Sequence, residues 1–375
     1  MDWRVPLADL DYGKEEEEAV LGVLRSRWLT MGAVTQQFER EFIRFTGAKH
    51  ALAVSNATVG LHLACLALGI GAGDEVIVPS LTFVATANAV LYTGASVRFA
   101  DIVSPDEFNI SPESIEKQIT PRTKAISVVH YGGYPCRMEA IREIADRRGL
   151  KLIEDAAHAP GAYLRGKHLG TWGDVGCFSF FSNKNLSTGE GGMLVTNQDQ
   201  IAEKVRILRS HGMTSLTWDR HQGHAYSYDV VDLGYNYRID EIRSALGLVQ
   251  LTKLPVNNTR RKELTERYWS ALSSSGVGLP FRGCEGDPSY HILPILLPHG
   301  IDRKTFIDRL RAVGIQTSIH YPPIHKFSYY SKKYPQLNLP VTDDVSAREI
   351  TLPLYPSMTE EAVNLVVSEV KSALG

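Results

Sequence analysis

One lysine stands where a lysine is costly. In "FSFFSNKNLSTGEGG", Phe178 to Gly192, Lys184 lies between an aromatic, strand-like run and a second apolar strand, "GGMLVTN". An ammonium in such a hinge either snorkels from a strand end to water or is desolvated, its pKa lowered so that the neutral amine attacks a carbonyl. In "LIEDAAHAPGA", Asp155 ends an apolar strand and His158 follows shortly after. The pair reads either as a cap and a hydrogen-bonded structural histidine, or as an anion and an imidazole in a pocket beyond the carboxyl end of a strand, where parallel sheets collect ligands. A carboxylate there keeps a basic ring nitrogen protonated, which makes a flat heterocycle an electron sink. The imidazole could bond a substituent of the same ring.

Three further segments are compatible with such a ligand. "ALAVSNATVGLHLACLALG" places Ser55-Asn56-Ala57-Thr58 between a strand and a helix, as ordinary N-cap residues or as an anion cradle. "PSLTFVATANAV" puts Phe83 at a strand-to-helix junction, as core or as a plate for a flat ring. "GYNYR", Gly234–Arg238, is turn-like and polar before a helix; Asn236 there caps the helix or reaches a phosphate. "GIGAG", Gly69–Gly73, follows a helix and precedes a strand, the reverse of a dinucleotide fingerprint. Together the segments ask for a phosphate, a flat ring with a basic nitrogen, and an aldehyde for the lysine. Pyridoxal 5′-phosphate (PLP) has all three.

The elements that must position these residues alternate along the chain. Helical patterns around Lys14–Arg27 and Thr35–Phe45 come first, the second with Phe38, Phe42 and Phe45 on one face. Then "ALAVS", "EVIVPS", "SVRFADI", "TKAISVVHY" and "KLIEDAA" read as strands, separated by helical stretches, with Ser111–Pro112 a cap and first helical position. These runs do not alternate with polar residues, which suits parallel strands covered on both faces. A long helix, "RIDEIRSALGLVQLTKL", is expected to break at Pro255, and a second, charged helix follows. The expected division is a large α/β domain, 1–254, with a mainly parallel sheet flanked by helices, and a smaller α+β C-terminal domain, 255–375.

A formal net charge of −2 gives no reason to expect nucleic acid or an anionic membrane as partner. No apolar leader opens the sequence, no run reaches the length of a membrane span, and the four cysteines are scattered without CxxC spacing. A reducing cytoplasm is the expected location. His211, His221 and His224 sit across a Gly-rich loop and read as solvated histidines, so no metal is expected.

From "RWLTMG" to the last helix, the chain resembles the DegT/StrS family of sugar aminotransferases. The resemblance is carried by "SNATVGLHLA", "PSLTFVATANAV", "IEDAAHAPGA", "FSFFSNKNLSTGEGG" and "GYNYRIDEIRSALGLVQL". It implies the type I PLP-dependent transferase fold, with its seven-stranded type of sheet. It also implies that Lys184 is the Schiff-base lysine, that Asp155 partners the pyridine nitrogen, and that His158 lies near the cofactor's phenolic oxygen. Phe83 matches the ring-stacking position, Ala57 and Thr58 the phosphate cradle, and Ser179 a hydroxyl donor to that phosphate. Asn236 matches a residue that reaches the phosphate from a neighbouring subunit, which implies a homodimer with shared active sites. Trp28 and Thr30 fit a W-x-T-x-G segment near the sugar; His320, Tyr321 and His325 fall in a C-terminal loop that contacts the nucleotide sugar.

The implied activity is transamination of a nucleotide-linked keto-sugar, at C4 in preference to C3, with L-glutamate as donor and 2-oxoglutarate as product. The amino sugar would serve glycan, lipopolysaccharide or natural-product synthesis. A PLP-dependent nucleotide-sugar dehydratase on the same fold carries His in place of the lysine. A non-catalytic regulatory protein would be expected to lack Lys184 or Asp155. Both residues are present. A desulfurase-type lyase would want a cysteine in a mobile loop, and none of the four lies in such a stretch.

Overall fold

Aliphatic runs that do not alternate with polar residues need cover on both faces, and they have it. The computed structural model describes residues 3–215, 218, 223 and 227–375. Strands β1 (His50–Val54), β2 (Glu75–Pro79), β3 (Ser96–Ala100), β4 (Thr123–Val129), β5 (Lys151–Asp155), β6 (Val175–Ser179) and β7 (Gly192–Thr196) form one sheet. Its order is β1-β7-β6-β5-β4-β2-β3. Pairing is parallel except at β7, which runs antiparallel to both β1 and β6. Along β2, Val76 and Val78 enter one core cluster while Ile77 enters the other, so both phases of the strand are apolar. Because β1 to β6 point the same way, the turns that leave β1, β2, β5 and β6 meet along one edge.

Helices α1 (Lys14–Ser26), α2 (Ala33–Thr46), α3 (Ala57–Ala67), α4 (Ala85–Leu91), α5 (Pro112–Gln118), α6 (Met138–Arg148) and α7 (Asp199–Leu208) precede or connect the strands. Asn56 caps α3 by accepting from the Val59 N–H at 3.0 Å, and Ser111 caps α5 ahead of Pro112. On α2, Phe38 and Phe42 are fully buried. Their rings meet Phe180 and Phe178 at 5.4 and 5.1 Å, which anchors the strand that leads to Lys184.

The helix break expected at Pro255 does not occur. Helix α8 runs without interruption from Glu241 to Leu272 with Pro255 inside it. An interior proline costs about 3 kcal/mol, and packing at both ends outweighs it. Leu251 and Leu254 are buried with the sheet, whereas Leu264, Tyr268, Trp269 and Leu272 enter a third core with the C-terminal elements. We propose that the units 1–254 and 255–375 divide inside this helix. The C-terminal elements are β8 (Leu293–Leu296) and β9 (Glu349–Leu352), an antiparallel pair, with α9 (Arg303–Ala312), α10 (Ser328–Lys333), α11 (Pro340–Arg348) and α12 (Glu360–Leu374). Strand β9 carried no separate expectation.

His221 and His224 lie outside the described residues; His211 is exposed, its N–H bonded to the Tyr235 carbonyl at 2.8 Å. Among the described residues, no helix is long and apolar enough to cross a membrane.

Candidate active site

The turns that meet at the carboxyl edge enclose a cavity of about 390 Å³ lined by Ala57, Thr58, Phe83, Asp155, His158, Ser179, Lys184, His320 and Tyr321, among others. Asp155, the last residue of β5, is 5% exposed. Thr86 Oγ1 donates to its Oδ2 at 2.7 Å and the Ala157 N–H to its Oδ1 at 3.2 Å. Burial raises the Asp155 pKa; the two hydrogen bonds and the charges of Lys184 and His130 oppose that rise.

Lys184 sits in the turn after β6, half-buried, its backbone N–H bonded to the Phe181 carbonyl at 2.9 Å. Burial lowers its pKa to about 8, against the pull of Asp155. The Nζ lies 3.5 Å from His291 Nε2. His158 Nδ1 accepts from the Gly132 N–H at 3.1 Å, so the proton of the neutral ring sits on Nε2, 3.0 Å from the Tyr321 hydroxyl. Burial, with Lys184 and His320 adding to it, holds His158 well below the usual histidine range.

At the other end of the cavity, Ala57 and Thr58 open α3, where free N–H groups and the helix dipole favour an anion. The Ser179 hydroxyl accepts from the Phe181 N–H at 3.3 Å. Gly192 opens β7 against this turn: a Cβ there would lie 2.7 Å from the Asn56 carbonyl carbon and 2.8 Å from the Ala57 nitrogen. Only glycine permits that approach. Phe83 is 58% exposed at the mouth, its ring 6.0 Å from that of Tyr321. His320 is held by Thr351 Oγ1, 2.8 Å from its Nδ1, while its N–H donates to Glu349 Oε2 at 2.8 Å. Burial drives His320 down to about 3, so its imidazole is neutral at pH 7, and raises Glu349 to about 8.

Four of the residues singled out in the sequence lie elsewhere in this chain. His325 ties Ser80 Oγ, 2.7 Å from its Nδ1, to Asp343, 3.0 Å from its Nε2. The Trp28 ring packs 4.9 Å from Trp218, and Thr30 bridges to Asp240. Asn236 is exposed and pairs with Ser210. Thr86 and His291, which respectively bond Asp155 and face Lys184, are among the site's residues that were not foreseen. Thr86 had a signal, as a hydroxyl in the otherwise apolar "FVATANAV"; His291 had none beyond its place in an apolar run.

This donor set fits PLP. A buried carboxylate with room for a cationic partner, a lysine near neutrality, an anion cradle at α3 and an exposed aromatic plate face one cavity, which defines a PLP-dependent transferase of the α/β class. Residues 10–371 match the DegT/DnrJ/EryC1/StrS aminotransferase family, and the chain belongs to it. It is 41% identical over 367 residues to the spore coat polysaccharide biosynthesis protein SpsC of Bacillus subtilis, covering 96% of this chain and 94% of SpsC. It is similar to DesV of S. venezuelae, solved in complex with a ketimine intermediate, at 35% identity and a TM-score of 0.90 over 98% of each chain. The PLP form of Spr1654 from Streptococcus pneumoniae superposes with a TM-score of 0.91 at 27% identity, over 100% of this chain and 99% of that one. The protein is a sugar aminotransferase, and its cofactor is PLP.

Proposed function

We propose that the amino acceptor is a nucleotide-linked keto-sugar, aminated at C4 in preference to C3, and that L-glutamate donates the amine and leaves as 2-oxoglutarate. The observation that carries this reading is the meeting of Lys184, Asp155 and the α3 N-terminus in one cavity also lined by Phe83, His320 and Tyr321. Family membership and the polysaccharide role in the name of SpsC support the sugar acceptor.

When bound, PLP supplies an aldehyde carbon and a ring that accepts electron density. Lys184 is the amine that would hold the aldehyde; when released, its lowered pKa would let it take and return a proton at the reacting carbon. Asp155 keeps the ring nitrogen protonated. His158, neutral with its proton on Nε2, donates toward the ring oxygen. Ala57, Thr58 and Ser179 hold the phosphate, and Phe83 covers the ring face against water. Asn236 from a second copy completes the phosphate site, so the working unit is a homodimer; its exposure outside its own chain's cavity supports this. Trp28 and Thr30 contribute toward the sugar side, whereas His325, buried between Ser80 and Asp343, does not; the enzyme works in the cytoplasm.

The test is mass spectrometry of products from a panel of nucleotide keto-sugars incubated with L-glutamate. Addition of one amino group to a 4-keto substrate is expected. Turnover of the 3-keto compounds alone would reverse the choice of carbon, and dehydration without amine transfer would favour the dehydratase.

A further inference from the structure

His291 is 4% exposed, and its hydrogen bonds fix the position of its ring proton. Asn258 Nδ2 donates to the Pro160 carbonyl at 2.9 Å, which leaves Asn258 Oδ1 as an acceptor. Asn185 Nδ2 donates to that oxygen at 2.8 Å and to the Ser289 carbonyl at 2.7 Å. Both amides are thus oriented by backbone carbonyls, which cannot donate. Asn185 Oδ1 therefore faces His291 Nδ1 at 2.9 Å as an acceptor, and the imidazole must carry its proton on Nδ1. The lone pair of Nε2 then points at Lys184 Nζ, 3.5 Å away.

Burial first, and then the basic groups around it, hold this ring well below the usual histidine range. The titratable groups that face it are Lys184 after β6, His158 after β5, with rings 4.4 Å apart, His320 in the C-terminal loop, and Arg261 of α8. Arg261 donates to the His291 carbonyl at 3.2 Å. All are basic, and none offers the imidazole a counter-ion.

We propose that His291 is a positioning residue for Lys184, presenting a neutral Nε2 lone pair that accepts an N–H of the lysine amine. With one N–H held in this way, the amine's own lone pair turns away from His291 and toward the cavity. The inference rests on the reading of Lys184 as the cofactor lysine.

The test uses the full chain stripped of PLP. The rate at which acetic anhydride labels Lys184 is followed against pH by mass spectrometry, with folding checked by near-UV circular dichroism. The wild-type midpoint is expected at about 8. In His291→Phe the ammonium loses an acceptor, and the midpoint should fall by about one pH unit, roughly tenfold in proton affinity. His291→Gln, which can present a side-chain carbonyl, should recover at least half of that shift. Nitrogen-15 NMR of histidine-labelled wild type gives a second measure that needs no folded variant: the ring must be the neutral Nδ1–H tautomer between pH 6 and 9. An unmoved midpoint in folded His291→Phe, or an Nε2–H tautomer in the wild type, overturns the proposal. Failure of the underlying reading looks different, because borohydride would then fix PLP to a lysine other than Lys184.

Discussion

Glu154 and Asp155 are consecutive residues at the end of β5, and the pleat sends their side chains to opposite faces of the sheet. Glu154 is fully buried. It accepts from His130 Nε2 at 2.9 Å and from the backbone N–H groups of Gly170 and Gly173 at 2.7 and 2.6 Å. Asp155, buried almost as deeply, has among the described residues only the Thr86 hydroxyl and one backbone N–H, and its carboxylate lines the cavity. The chemistry of the two groups is the same. A carboxylate surrounded by protein donors holds structure, and one left short of donors beside a cavity is a place for a ligand's cation.

The largest effect should come from across the cavity. Lys184→Ala is expected to lower turnover by at least roughly three orders of magnitude while PLP still binds non-covalently, since both the holding amine and the proton carrier go. Steady-state kinetics at saturating donor would show it, and a fully active variant would remove Lys184 from the reaction. Asp155→Asn should fold normally and lose about a hundredfold in kcat, because the charge acts where electron density develops. If only PLP affinity changed, Asp155 would be a positioning residue.

Glu154→Gln is the matching change on the opposite face and should behave in the opposite way. Its amide N–H₂ would face backbone donors, and leaving one unpaired costs about 1–3 kcal/mol. Urea unfolding should show that loss with kcat per folded molecule unchanged; a fall in kcat without a fall in stability would erase the contrast. The smallest effect is expected at Asn236→Ala, with PLP held about tenfold more weakly and stability unchanged, as for loss of one hydrogen bond to a charged group. At PLP concentrations too low to load Asn236→Ala dimers, mixed dimers with Lys184→Ala, confirmed by sedimentation, should regain partial activity, because one site then carries both lesions and the other neither. No recovery would place Asn236 in its own subunit's site.

The sequence made the cavity side legible because strand ends announce themselves locally. An apolar run closed by Asp155, another closed by Ser179 and followed by Lys184, and a Ser-Asn-Ala-Thr turn into a helix each lie within a few residues of their element. His291 was hidden, being 107 residues from the lysine that it faces, inside a segment whose only local signal is strand-like hydrophobicity. The continuity of α8 was hidden for a related reason. Proline's local preference is visible in sequence, but the two cores that hold the helix on either side of it are assembled from residues far along the chain. His325 shows the same gap: its ties to Ser80 and Asp343 bring together three segments that no spacing rule connects.

The central claim is that the cavity beside Asp155 holds PLP through Lys184. Borohydride reduction of the PLP-loaded protein, followed by peptide mass mapping, tests it most directly. The account predicts the reduced cofactor's mass on Lys184, and no such adduct in Lys184→Ala. An adduct on a different lysine in the wild type would contradict it.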